Sequence, residues 1–224
     1  TARRVVAAVS SGCGATFFVW VQHLGVVRSL RASGNDSLVD DLLASMCSGE
    51  LIAGVAFAHA RRSGPPAVRA TPLPDGRWRL DGHAPWVTSW GIADWFCVAA
   101  ESEAGELVWT MIPGSAPAGV RATPLELPVF ASTGTVALTF DGCTIPGGRV
   151  VAIEDAATCH LSWAHEPATV VLGRDFVMDL GSEGPEMRRH GVGGAAGGRL
   201  QIIGGFEDFA VVKLDAVVIH RCLR

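Results

Sequence analysis

The run Trp78–Ala100, WRLDGHAPWVTSWGIADWFCVAA, sets the strongest limit on the fold. Arg77–Leu80 alternates polar and apolar residues, and Asp81-Gly82 reads as a turn. A second short strand then leads through Trp86-Val87-Thr88 to a Ser/Gly break at Ser89–Gly91. Asp94–Ala100 follows as a continuous apolar stretch, the pattern of a strand buried on both faces. Side chains that alternate with a period of two do not line one face of a helix, so this part of the chain needs partner strands. Candidates lie on either side: Ile52–Ala58, Leu107–Ile112, Val120–Leu127 and Thr135–Phe140, the last with Val136, Leu138 and Phe140 on one face. Ser63-Gly64-Pro65-Pro66, Pro74-Asp75-Gly76, Pro113-Gly114-Ser115, Asp141-Gly142 and Pro146-Gly147-Gly148 punctuate them as turns. Roughly six or seven short strands at this spacing predict a barrel or sandwich.

Before Leu51 the period is that of a helix. Phe17, Trp20, Val21, Leu24 and Val27 fall on one predicted face. Gly34-Asn35 is expected to end that helix and Asp36 or Ser37 to cap the next. Val39, Leu42, Leu43 and Met46 repeat the pattern, and Gly49 stops it. The reading is two packed helices with a tight connection. After Val151 the periodicity fades, and glycines crowd the segment from Gly181 to Gly205. The expected organisation is therefore a helical segment over 1–50, a β-barrel domain over 51–153 and an irregular tail over 154–224, an α+β chain.

With 224 residues, 49% of them apolar, there is enough material for a sizeable core in one large domain or two small ones. A net charge of −4 without a basic block argues against nucleic acid as a partner. The single lysine, Lys213, and the absence of tyrosine read as the bias of a GC-rich genome. The 6 cysteines have no paired spacing, which predicts reduced thiols. No apolar run approaches the ~20 residues of a membrane span, and no signal peptide is recognisable. Thr1 already lies inside a helix-like pattern, so the natural N-terminus is expected upstream. The default is a cytoplasmic enzyme or a piece of one.

An ordered set of motifs narrows this further. Gln22-His23, within the helix predicted around Phe17–Val27, is followed by Gly49-Glu50, Gly54-Val55-Ala56-Phe57-Ala58, Asp81-Gly82, Trp86-Val87-Thr88 and Ala93-Asp94. Thr133-x-Thr135-Val136 then leads into Phe140-Asp141. Over about residues 3–153 this order resembles the acyl-CoA dehydrogenase family. The resemblance implies a flavin-facing β-domain, FAD as cofactor, and α,β-dehydrogenation of an acyl-CoA thioester. It places Phe57 and His59 beside the flavin, Trp86 against the isoalloxazine, and the Thr88 hydroxyl near N5 and O4. Donors at that edge would stabilise the charge a reduced flavin gains. It also implies a homo-oligomer, dimer or tetramer, with FAD lodged at subunit contacts.

The chain departs from the family pattern after His59. Where the family has Thr, Glu-Pro and a Gly-Ser-Asp turn, this chain reads Ala60-Arg61-Arg62-Ser63-Gly64-Pro65-Pro66. Arg61, Arg62 and Ser63 are the candidate substrate-binding residues, since guanidinium groups suit the phosphates of CoA or FAD; a solvated turn is the other reading. The family's catalytic carboxylate belongs to a later helical domain. Glu166, Glu183, Glu186 and Glu207 lack a recognisable context, so no catalytic base is assigned. The tail is read as a truncated or frame-shifted remnant of that domain. Gln201-Ile202-Ile203-Gly204-Gly205 is only superficially similar to one of its turns.

Other constellations are weaker. Gly191-x-Gly193-x-x-x-Gly197 lacks the βαβ context of a dinucleotide site, Cys159-His160 with His165 lacks a fourth metal ligand, and no Gly-x-Ser-x-Gly elbow occurs. No metal site is expected. His23 reads as a core histidine. Three functions stay open: an acyl-CoA dehydrogenase, a flavin monooxygenase of the same fold, and a non-catalytic binding or assembly module.

Overall fold

The computed structural model describes residues 2–61, 64–127 and 130–157, and the backbone of short strands at Thr169–Leu172, Phe176–Asp179, Glu186–Arg189, Gln201–Ile202 and Val212–Lys213. The chain divides into two units, Thr1–Phe17 with Leu161–Arg224, and Phe18–His160. In the first, helix α1 spans Ala2–Gly12. The strand Phe176–Asp179 runs antiparallel between Thr169–Leu172 and Glu186–Arg189, and Gln201–Ile202 pairs antiparallel with Val212–Lys213. Cys159, His160, His165, Glu166, Glu183, Glu207 and the Gly191–Gly197 motif lie outside the described residues.

The second unit begins within helix α2, Gly14–Arg31, and continues with α3, Asp36–Ser48. Three helices thus stand where two were expected. The apolar stretch of α2 surrounds much of its circumference, which makes its buried face ambiguous in sequence. Of the predicted face, Phe17 is buried and Val27 packs on the core, but Val21 is exposed; His23, Val26 and Leu30 are buried beside them. In α3, Leu38, Leu42 and Met46 are buried. The cap of α3 is Asn35, one residue before the expected position: its side chain accepts from the Leu38 N–H at 3.2 Å. Its amide also donates to the carbonyls of Gly148 and Val150, tying the helical connection to the β-domain. Gly49 closes α3 at φ 80°, the left-handed conformation glycine favours. No described helix is long and apolar enough to cross a membrane.

Eight strands follow: β1 Ala53–Ala56, β2 Val68–Pro72, β3 Trp78–Val87, β4 Trp95–Ser102, β5 Glu106–Pro113, β6 Val120–Pro124, β7 Val136–Ile145 and β8 Val150–Asp155. They form one sheet in the order β6-β7-β3-β2-β4-β5-β8, with β1 also on β4. The expected barrel does not close: β6 and β8 are its two edges, and they are not paired with each other. The strands β1 and β2 both run parallel to β4 along one of its sides, β1 at Trp95–Val98 and β2 at Glu101–Ser102. The other neighbouring pairs are antiparallel.

Strand β4 separates two cores. Val98, Ala100, Val108 and Ile112 join Leu80, Ala84, Leu138 and Phe140 in the core of the sheet. Cys97 and Met111, from the opposite faces of β4 and β5, meet Val26, Leu30, Leu38, Leu42 and Met46 of the helices. This explains the unbroken apolar run of β4: both its faces are covered. Burial pushes the Cys97 thiol up to about 12.

Asp81-Gly82 is not a turn. The strand β3 runs straight through it, and so does β7 through Asp141-Gly142. Leu80 pairs with Cys143 and Gly82 with Phe140, so Asp81 faces two residues of β7 across a bulge. The Asp81 carboxylate accepts from the Gly142 N–H at 2.8 Å, satisfying a donor that the bulge frees. Gly82 is required here: at φ 132°, a Cβ would lie 2.1 Å from the Ala67 carbonyl oxygen.

Candidate functional site

A second bulge ends β3. Ala84 pairs with Leu138 and Val87 with Val136, so Pro85 and Trp86 together face Ala137. Trp86 takes φ 62°, a left-handed conformation that a bulky residue rarely adopts, and its side chain is half-buried. Three residues later Ser89 takes φ 76°. Such residues persist only where their surroundings hold them, and they cluster at functional sites.

The surroundings are specific. The Ser89 N–H donates to Thr133 O at 2.8 Å and the Trp90 N–H to Gly134 O at 3.0 Å, lacing the loop after β3 to the turn Ala131–Thr133 before β7. The Ser89 carbonyl accepts from the Ile92 and Ala93 amides. Gly134 permits this approach, because a Cβ there would lie 2.5 Å from Trp90 O. On the other side, Gly54 of β1 leaves room for the Phe96 ring, which would meet a Cβ at 2.6 Å, and for Thr88 O at 3.1 Å. Phe96 in turn stacks on Trp90 with ring centroids 5.4 Å apart.

Thr88 begins a row of buried hydroxyls. Its Oγ1 lies 3.3 Å from that of Thr135, which lies 2.8 Å from that of Thr133. Thr133 donates to Phe130 O at 2.7 Å. Beside them the Ser89 side chain is fully buried, and its Oγ makes no hydrogen bond among the described residues. Burying a hydroxyl without a partner is unfavourable.

The remaining candidates are more dispersed. His59 fills the gap between β1 and β2: its Nε2–H donates to Ala99 O of β4 at 2.7 Å, in place of a ladder bond. The Phe57 ring lies 6.2 Å from Trp109, on the face of β5 that carries the helices. Arg61 ends the 3-10 turn Ala58–Arg61, while Arg62 and Ser63 lie outside the described residues. The structure therefore laces Trp86, Thr88 and Ser89 into one assembly and gives Phe57 and His59 separate partners. His23 is a staple: Nε2–H donates to Met46 O and Nδ1 accepts from the Ala53 N–H, each at 3.1 Å.

No family model and no curated protein matches the sequence. Solved structures do. Butyryl-CoA dehydrogenase from Megasphaera elsdenii aligns over 70% of this chain and 44% of its own, with a TM-score of 0.61 at 15% identity. Glutaryl-CoA dehydrogenase from Mycobacterium smegmatis aligns over 70% and 42%, with 0.59 at 21%. The fold is that of the acyl-CoA dehydrogenases. FkbI, described as serving biosynthesis of the methoxymalonyl extender unit of a polyketide, aligns over 66% and 42%, with 0.56 at 25%. The chain spans less than half the length of each of these structures.

Within this acyl-CoA dehydrogenase fold, three residues join the site that were not singled out as site residues in the sequence: Ser89, Thr133 and Thr135. A signal for the last two existed. Both belong to the Thr133-x-Thr135-Val136 motif that leads into β7. Ser89 had none, because a left-handed serine is not foreseeable from its neighbours.

Proposed function

We propose that this chain carries the flavin-facing β-domain of an FAD-dependent acyl-CoA dehydrogenase, with 1–50 as the end of a helical domain, 51–153 as the β-domain and 154–224 as a remnant of a further one. One observation carries the reading: in a fold shared with acyl-CoA dehydrogenases, a bulge and two strained residues at the end of β3 leave Trp86 half-buried and hold the buried Thr88 two residues on.

The residues fit the cofactor. Trp86 keeps part of its indole exposed, which suits stacking on an isoalloxazine, and Ser89 retains a buried hydroxyl without a partner. When bound, FAD supplies the two-electron acceptor for a hydride from the substrate β-carbon. Trp86 would exclude water from one side of the ring, and Thr88 would meet its edge with a hydroxyl fixed by Thr135. Phe57 is assigned to the apolar margin of the site. His59 is assigned to the cofactor site too, acting through the backbone it holds against β4. Arg61, Arg62 and Ser63 are assigned to the phosphates of FAD or CoA. A homo-oligomer would complete the site.

The test is purification of the chain and reconstitution with FAD. Bound flavin that bleaches on anaerobic addition of an acyl-CoA supports the dehydrogenase. Bound flavin that reacts only with a reductant and oxygen favours a monooxygenase of the same fold. A chain that binds no flavin refutes both and leaves a binding or assembly module.

A further inference from the structure

The threonine row has a direction. A hydroxyl owns one proton and two lone pairs. Thr133 gives its proton to Phe130 O at 2.7 Å, and a carbonyl can only accept. The 2.8 Å contact between Thr133 and Thr135 therefore has Thr135 as donor. Thr135 then has no proton left, so the 3.3 Å contact with Thr88 forms with Thr88 as donor. All three residues are buried, Thr88 at 3%, Thr133 at 0% and Thr135 at 8% exposure, so bulk water does not reach in to reverse the row. The low local dielectric strengthens each link, although the outermost is long.

We infer that Thr133 and Thr135 are positioning residues that turn the Thr88 proton inward, so that Thr88 presents lone pairs, not a proton, to the cofactor edge. This rests on the flavin reading above and sharpens it: the resemblance alone would make Thr88 a donor. An acceptor discriminates between the two redox states of a flavin. The oxidised ring has a bare, accepting nitrogen at N5, and the fully reduced ring has an N–H there. A lone pair at Thr88 favours the reduced form, and the row thereby raises the reduction potential of the bound cofactor. Without the anchor on Phe130 O, Thr135 is free to donate outward to Thr88, and Thr88 in turn to donate to N5. The preference then reverses.

The test uses the full chain reconstituted with FAD and reads the midpoint potential of the bound flavin together with the dissociation constants of its oxidised and reduced forms. The expected order of potential is wild type, then Thr88→Val, which has no hydroxyl, then Thr133→Val, whose row is reversed. Each step corresponds to roughly a three- to tenfold loss of preference for the reduced form. Tenfold is about 30 mV for a two-electron couple. Thr135→Val is expected below wild type and Thr135→Ser, which keeps the hydroxyl, at the wild-type value. A purely structural role would weaken both redox forms alike and leave the potential unmoved. If wild type binds FAD but the potential of Thr133→Val is unchanged or raised, the polarity argument is wrong and the flavin reading stands. If Thr133→Val does not fold, the Thr135→Val and Thr135→Ser pair decides by the same criterion. If wild type binds no FAD, both fall together.

Discussion

Replacing His23 with Leu tests whether the helical segment and the β-domain are stapled as the structure has them. His23 is 7% exposed and bonded on both ring nitrogens, to Met46 O at the end of α3 and to the Ala53 N–H at the start of β1. Leucine has a similar volume, so the cavity contribution is small. What remains is polar. Met46 O keeps the Gly49 N–H as a second partner, so its loss is that of an ordinary net hydrogen bond, about 0.5–1.5 kcal/mol. The Ala53 N–H loses the acceptor His23 gave it in a buried place, at a cost of about 1–3 kcal/mol. Together the substitution should destabilise by about 2–4 kcal/mol. For a chain of this size that is a fall in Tm of about 5–15 °C. Urea unfolding followed by tryptophan fluorescence gives the same quantity directly. His23→Gln, whose amide carries both a donor and an acceptor, should recover part of the loss. A loss below about 1 kcal/mol for His23→Leu would refute the staple. A His23→Leu chain of undiminished stability that had lost its activity would make His23 a catalytic group instead.

Two further substitutable positions report on other parts of the fold. Gly82→Ala sets a Cβ 2.1 Å from Ala67 O, whereas Gly76, also left-handed at φ 79°, has open space around it. Gly82→Ala should therefore cost more than about 3 kcal/mol and Gly76→Ala about 1–2 kcal/mol by chemical denaturation; equal costs would remove the close approach at the bulge. Cys13 is exposed, and its thiol is held below the usual range by the Thr16 hydroxyl and then by backbone N–H groups of Thr16 and Ala15. A thiol lowered in this way reaches half-maximal alkylation at a lower pH in the folded chain than in the urea-unfolded chain. Peptide mass spectrometry across a pH series reads this out, and Cys97 should stay unmodified until unfolding.

The strands were legible wherever burial was simple. Asp94–Ala100 announced a strand covered on both faces, and β4 has a core on each side. Val136, Leu138 and Phe140 share one core as their alternation required. The misreadings have a common cause: local chemistry that serves two geometries. Asp-Gly makes a hairpin turn or a glycine bulge with equal ease, and only the partner strand decides. At Asp81-Gly82 and Asp141-Gly142 the strands continue and the pairs face each other. The buried face of α2 was read only in part: Phe17 is buried and Val27 packs on the helical core, but Val21 is exposed, and the burial of Val26 and Leu30 belongs to the docking against α3 and β4. Closure into a barrel is a long-range property of the sheet edges that strand count does not determine. At the site, Trp86 and Thr88 were visible as a triplet, and their dependence on Thr133, Thr135 and Ser89 was not, because it arises from tertiary pairing.

Ser89 is where folding and function part company. Its side chain is fully buried at φ 76°, with an Oγ that has no hydrogen-bond partner among the described residues. Glycine would remove about 1–2 kcal/mol of left-handed strain and an unsatisfied hydroxyl worth about 1–3 kcal/mol. Against this stands about 0.5–1 kcal/mol for the greater freedom of glycine in the unfolded chain. The backbone bonds to Thr133 O and from Ile92 and Ala93 do not depend on the side chain. Ser89→Gly should therefore stabilise the ligand-free chain by about 1–3 kcal/mol, an unusual sign for a substitution in a buried position. Under the flavin reading the same variant should bind FAD more weakly, since the hydroxyl that has no partner in the free chain is the one a ligand would satisfy. If Ser89→Gly destabilises the chain, the serine is there for packing, and the strain at Trp86 alone marks the site.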